Sequence, residues 1–592
     1  MKILLFCAAA LAMLPPCMAQ AQTGAAPTTV VVQGQKGARR PAVWFRAESQ
    51  HFVIYSDTRR EDVTTLLNAL EKFRYVLRSY LREDAAGDDA GPKTEITYLA
   101  HEQDLDVIRP GGPDYAIGLY SACRDADIGV GVHMYADQVK ALPLEKQPDN
   151  EGLGYIFEAY ARHYSYQHSD LRQPTWFIDG FAHYFSTARF DGNEAIVGMA
   201  PAAFARYLDL IGAATTYSLD YRDVLQQKED NGRNAAGPSG VRNEYQARAW
   251  LLTHYILSSP DNRRRFAAYL AAVAAGQPPV AAWKTAFAMT PGQLDQALWR
   301  YRLRDLQAMK LVFKSLPAAA ISFQALPASA RSIQLLRTAL RACPDAAYGH
   351  SLLTRLRAEA PKFPDSDLAQ LTLARAEIEW GDPNAALPYL TRATAGASTD
   401  AEAFVLLGRA DIALAAGLEE RARQARLEQA MQALGRASVL DPAAPETGWW
   451  FYRAVALSGR MSEDGAAAIL SAWRGAPDVD LYALHAGLAL AWLGRTDEAL
   501  AALRTVADNP RDPALAPMAQ GWIGRLNAGV DKAALVAGMG AAPPADAGQT
   551  QWTLAGADIF AAVKAAADAQ DANDALSTAD PQSDQDSQLP AN

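Results

Sequence analysis

At 592 residues, half of them hydrophobic, the chain is long enough for two or more domains with substantial cores. Its 56 Lys and Arg stand against 66 Asp and Glu, a net charge of −10 with no basic stripe to offset it, which excludes a dedicated nucleic-acid binder. Residues 1–21 are expected to be a secretory signal peptide. Lys2 precedes an apolar run from Ile3 to Leu14, too short to span a bilayer, and Ala19-Gln20-Ala21 supplies a small-residue cleavage pattern. Cleavage after about Ala21 removes only the charge of Lys2, so the exported chain would carry −11. It would keep only Cys123 and Cys343, too few for a Cys₄ or Cys₂His₂ zinc site; whether the two pair is left open. No later segment reads as a transmembrane helix, because charges interrupt the Ala-rich runs.

Residues 22–40 read as a flexible leader. Phe52–Tyr55 is β-branched and aromatic and predicts a strand. Asp57 or Thr58 should cap a helix whose apolar residues Val63, Leu66, Leu67, Leu70, Phe73, Leu77 and Leu81 recur at three and four. Further strands are expected at 94–99, 116–121 and 128–134, then helices at about 153–167 and 175–187. Strands followed by helices suit an α+β domain over 41–310. Gly129-Val-Gly-Val belongs to that sheet and not to a nucleotide loop, and neither a Walker loop nor a G-x-S-x-G elbow occurs.

The two predicted helices carry the informative motifs. Phe157, Tyr160, Ala161 and His163, then Pro174, Trp176, Phe177, Gly180, Phe181, Ala182 and Ser186, resemble the frame of secreted gluzincin-type (peptidase-MA-like) zinc metallopeptidase domains. That resemblance implies an α+β metallopeptidase-like fold and, in its active members, an HExxH helix with a third carboxylate ligand on the next helix. Here the chemical positions differ. Glu158 stands at the first His, Ala159 at the general base, Arg162 at the second His and Asp179 at the third ligand, with His183 four residues on. Alanine cannot accept a proton, and a guanidinium is always charged and offers zinc no lone pair. The expectation is a chain without a catalytic residue and without zinc. The alternative is a rewired metal site from Glu158, Asp179 and His183 serving a hydrolase. His163 and Tyr245 are candidates for the cleft, both with a packing role as the competing reading. Without a metal, Arg162 is expected to lie within salt-bridge distance of Glu158, Asp179 or both.

After a linker over 311–330, residues 331–537 are Ala- and Leu-rich. Around Leu371–Leu390 and Ala486–Leu503 they resemble tetratricopeptide helix pairs: Gly381 and Gly494 close the first helix, and Ala386 with Leu390, and Ala499 with Leu503, follow at matching offsets. Two weaker copies run from Phe404 to Pro442, with a charged insert around Glu419–Arg426, and from Trp449 to Trp473. An all-α tetratricopeptide-like solenoid is expected, with a generic helical bundle as the alternative. Residues 538–592, with acids at Asp568, Asp571, Asp574, Asp580, Asp584 and Asp586 and no base after Lys564, should be largely disordered. The resulting expectation is an exported non-catalytic scaffold that binds a protein or peptide partner through its repeats. A structural component of the cell envelope is a third reading.

Overall fold

The sequence around Phe52 folds as its pattern demands: β1 (Phe45–Glu48) and β2 (Phe52–Ser56) form an antiparallel hairpin that buries Ala47, Phe52 and Ile54. The computed structural model describes residues 43–542 and Thr553–Ala555, apart from 82–91, 111–117, 124–125, 134–152, 169–172, 202–203, 205–206, 209–218, 230–236, 305 and 510–513. The expected signal peptide, leader and most of the acidic tail lie outside the described residues. Asp57 does not cap the next helix. Its carboxylate instead accepts the Ala100 N–H at 2.9 Å, and the Arg60–Leu81 helix starts beyond it. That helix buries Val63, Leu66, Leu67, Leu70, Phe73 and Leu77, the expected stripe.

β3 (Thr94–Leu99) runs parallel to β2, and β5 (Ala126–Val132) parallel to β3, while β4 (Gly118–Cys123) returns antiparallel along β5. A smaller sheet joins β6 (Arg189–Asp191), β7 (Glu194–Val197) and β8 (Met309–Val312). Both edges of the larger sheet are covered by segments from far along the chain. β9 (Ser322–Ala325) pairs with β1 and β10 (Thr553–Ala555) with β4, giving the order β10-β4-β5-β3-β2-β1-β9. Covering an edge satisfies backbone groups that would otherwise invite another chain. The stretch 311–330, read from sequence as a linker, therefore holds strand pairing, and so does part of the tail.

The Gly154–Gln167 helix crosses the sheet closely at Gly131, where an added Cβ would meet Ile156 and Tyr155 at 3.2 Å. Phe157 stacks on Phe73 with ring centroids 4.2 Å apart, and Tyr160 meets Phe52 edge-on at 4.9 Å. The Thr175–Ser186 helix is buried at every position. Gly180 permits this: an added Cβ would lie 2.1 Å from Thr253 Oγ1 and 2.4 Å from the Ala249 carbonyl, both on the Gly237–Leu257 helix.

Beyond the sheet the described chain is helical. The four expected pairs are Asp367–Trp380 with Pro383–Ala393, Ala401–Ala415 with Glu420–Leu440, Pro445–Leu457 with Glu463–Gly475, and Asp480–Trp492 with Thr496–Ala507. Small-against-large packing joins them: Gly408 faces Leu434 and Gly487 faces Leu503, where a Cβ would come within 2.5 and 2.8 Å. The charged insert is the start of the Glu420–Leu440 helix, held by Arg423 donating to the Leu457 carbonyl and by Arg426 pairing with Asp411. The sequence reading missed a pair at each end, Ala330–Arg341 with Ala346–Glu359 and Leu515–Asn527 with Lys532–Gly540. In these the Gly-then-Ala-then-Leu spacing is absent: Gly538 approaches Trp522 within the last pair, while Gly349 approaches Trp380 of the following pair.

The helical region touches the sheet domain at both ends. At its start, Thr338 meets Thr97 at 3.0 Å, and Arg337 and Arg341 pair with Glu95 of β3. Near its finish, Arg504 donates to the Ala274 carbonyl, Gln227 to that of Asp508 and Gln167 to that of Gly475. The described residues, from Val43 onward, belong to one compact unit.

Gly180→Ala should destabilise the protein by about 3 kcal/mol, the upper range for overpacking, because one obstacle is backbone. Gly435→Ala, with nothing within 4 Å of the new methyl in a helix interior, should instead stabilise it by about 0.5–1 kcal/mol. Urea denaturation of the two variants beside the parent reads both signs.

Candidate functional site

Glu158 and Arg162 are four residues apart on the Gly154–Gln167 helix and so share a face. Asp179 approaches from the Thr175–Ser186 helix. The Arg162 guanidinium lies between the two carboxylates: Nη1 donates to Asp179 Oδ1, and Nη2 to Glu158 Oε1 at 3.3 Å. The i,i+4 spacing predicts the contact with Glu158, and the resemblance implies the one with Asp179. His183 completes the group with Nδ1 3.6 Å from Glu158 Oε2, and its ring meets Phe204 edge-on at 4.8 Å. All four are buried, Asp179 to 1% exposure.

A zinc ion does not fit this donor set. The guanidinium holds the place where the ion's charge would act on both carboxylates, and it cannot release its proton to become a ligand. Among the described residues no group of three His, Cys, Asp or Glu side chains is disposed to hold a metal. Glu158, Asp179 and His183 are indeed brought together, but around a cation the chain already carries. Ala159, beside Glu158, is partly exposed and contributes only a methyl group.

The two cleft candidates sit elsewhere. His163 points to the helical region, with Nδ1 3.5 Å from Asp478 Oδ2 across a buried contact. Tyr245 is wholly buried in the Gly237–Leu257 helix, beside the surface that receives Gly180. On that same helix His254 bonds the Tyr301 hydroxyl at 2.7 Å, and burial pushes its imidazole down to about 4, so it stays neutral near pH 7.

A second charged array escaped the sequence reading. Glu95 on β3 pairs with Arg337 and Arg341; Arg337 lies 3.6 Å from Glu402; Arg375 bridges Glu402 and Glu446; Arg409 bridges Glu446 and Glu379. Arg409 also stacks over Trp450 at 4.6 Å. The first helices of successive pairs supply these arginines. Arg375 and Arg409 are 34 residues apart, each eight positions after its helix begins, and that periodicity was the available signal. Burial alone would push Glu402 up, but Arg337, Arg375 and Arg341 outweigh it and hold the carboxyl at about 2. Burial likewise opposes ionisation of Glu95, and Arg341 and Arg337 bring it below its ordinary value.

No protein-family model matches the chain, and no curated protein matches it. Among solved structures it is similar to a thermophilic TPR protein of Thermus thermophilus, at 23% identity with a TM-score of 0.28, over 33% of this chain and 97% of that one.

Arg162→Ala should cost about 3–5 kcal/mol, because it strands two buried carboxylates, and the urea midpoint should fall accordingly. The array makes stability depend on acid. Glu95 and Glu402 have folded values below their unfolded ones, so their contribution is complete above about pH 5 and is lost as pH falls toward 2. Glu402→Gln should lower stability at pH 7 and flatten the decline between those limits, as followed by circular dichroism during acid titration.

Proposed function

We propose that this chain is an exported, non-catalytic scaffold: a metallopeptidase-like N-terminal region joined to a tetratricopeptide-like helical region that meets a protein or peptide partner. The observation that carries this reading is Arg162 seated between Glu158 and Asp179, with Ala159 where a water-activating carboxylate would stand. The aromatic and glycine frame of the peptidase motif has a packing role independent of catalysis, and so accounts for a motif kept in shape and altered in chemistry. Export is supported by the N-terminal pattern and by Cys343, which is disulfide-bonded, a state favoured in oxidising compartments. Among the described residues no helix is long and apolar enough to cross a membrane.

The partner does not use the arginine positions of the first helices. Arg375 and Arg409 are 2% exposed and already matched by carboxylates of the chain, so they offer a partner no free charge.

Elemental analysis of the purified protein should find no stoichiometric zinc, and casein should remain uncut with or without added zinc. The variant Glu158→His, Ala159→Glu, Arg162→His, Asp179→Glu should retain about one zinc per chain after dialysis, because it restores three ligands and removes the cation. A tightly held metal in the parent, lost on His183→Ala, would replace the scaffold reading with the rewired hydrolase.

A further inference from the structure

The described chain exposes few large apolar side chains, and they are unevenly placed. Of the seven, Trp299 (41% exposed), Leu303 (58%) and Val312 (70%) fall within one short stretch. Trp299 and Leu303 lie four apart on the Pro291–Arg304 helix, opposite the buried Leu294, Leu298 and Tyr301. Arg300 and Arg304 form the adjoining exposed stripe. The chain then reaches β8 within no more than about 17 Å of extended backbone. On β8, Lys310 and Val312 alternate toward solvent, and exposed Lys314 follows. Tyr75, a fourth exposed apolar residue, stands edge-on to Phe313 at 5.5 Å.

Charge sets this stretch apart. Residues 260–314 hold nine Lys and Arg against three Asp, in a chain whose net charge is −10. The smaller sheet carries two described acids, Asp191 and Glu194, and Glu194 pairs with Lys310. An acidic protein is repelled by an anionic surface everywhere except where such a patch faces it.

We propose that this face docks peripherally on an anionic phospholipid surface. Trp299 and Leu303 enter the headgroup boundary while Arg300, Arg304 and Lys314 engage the phosphates. A tryptophan with an apolar body and a polar N–H suits that boundary, and long cations reach headgroups while their stems stay against apolar surface. The combination of projecting apolar residues with flanking cations is that of an interfacial anchor, which needs both attractions to hold.

The test is cosedimentation of the full protein with vesicles of phosphatidylglycerol and phosphatidylcholine, compared with phosphatidylcholine alone. Binding is expected only with the anionic lipid. It should weaken by at least about tenfold in the Trp299→Ser/Leu303→Ser variant and in the Arg300→Glu/Arg304→Glu variant, since each basic residue near such a surface contributes about 1 kcal/mol. It should also fall in about 1 M salt, where the Debye length is about 3 Å. The substituted side chains are exposed, so unchanged melting curves will show that both variants fold. No binding to anionic vesicles, or binding that both variants retain in full, overturns the proposal. Binding that depends on the arginines and not on Trp299 and Leu303 overturns the insertion and leaves a purely electrostatic contact.

Discussion

A buried guanidinium cannot shed its charge and so needs acceptors around it, and at several junctions between separate elements of this molecule carboxylates supply them. Arg162 lies between Glu158 and Asp179 and joins the two motif helices. Arg337 lies between Glu95 of the sheet and Glu402 of the helical region; Arg375 and Arg409 share Glu446 across the first helices of three successive pairs. Such pairs add little net stability over apolar contacts of equal size, because desolvation offsets the attraction. They do penalise a misaligned neighbour severely, since a slipped helix would leave a charge buried alone. In this molecule they specify which helix sits beside which.

On the Gly154–Gln167 and Thr175–Ser186 helices, packing holds one set of residues and charge another. Phe157 and Tyr160 pack on Phe73 and Phe52, and Gly180 lets one helix seat against Thr253. Changing any of these would open a cavity or create a clash, whatever the domain does. Glu158, Arg162 and Asp179 are held by charge: Arg162 pairs with both carboxylates, and His183 lies beside Glu158. One fixed guanidinium between the two carboxylates supplies a permanent positive charge to both without a divalent ion.

Much of this was legible in the sequence because it depends on local period or on spacing along one helix. The Phe52 strand, the Val63–Leu77 stripe, the two motif helices and four helix pairs all announce themselves within about twenty residues. The Arg162–Glu158 contact followed from an i,i+4 offset, and Asp179 from the geometry the resemblance implies. Contacts between residues hundreds apart left no local trace. Nothing near Ser322 or Thr553 indicates that those segments complete a sheet begun before residue 60. Asp57 looks like a helix cap because Asp so often is one, yet the backbone N–H it accepts belongs to Ala100, on the far side of β3. The terminal helix pairs were missed because their close glycine approaches, Gly349 to Trp380 and Gly538 to Trp522, come at other offsets and meet other partners.

The two-ended attachment of the helical region follows from these distant contacts. A solenoid held at one end can flex along its length, because each repeat touches only its neighbours. Here Glu95 and Thr97 hold the first pair, while Ala274, Gln227 and His163 hold segments some 140 or more residues later. Flexing that separated either contact would expose a charge or a buried hydrogen-bonding group. The helical region is therefore braced across the sheet domain, and the Gly154–Gln167 helix serves as one of the struts. His163, on that helix, meets Asp478 of the repeats, so the helix that holds Arg162 in place also fixes the surface that the repeats present.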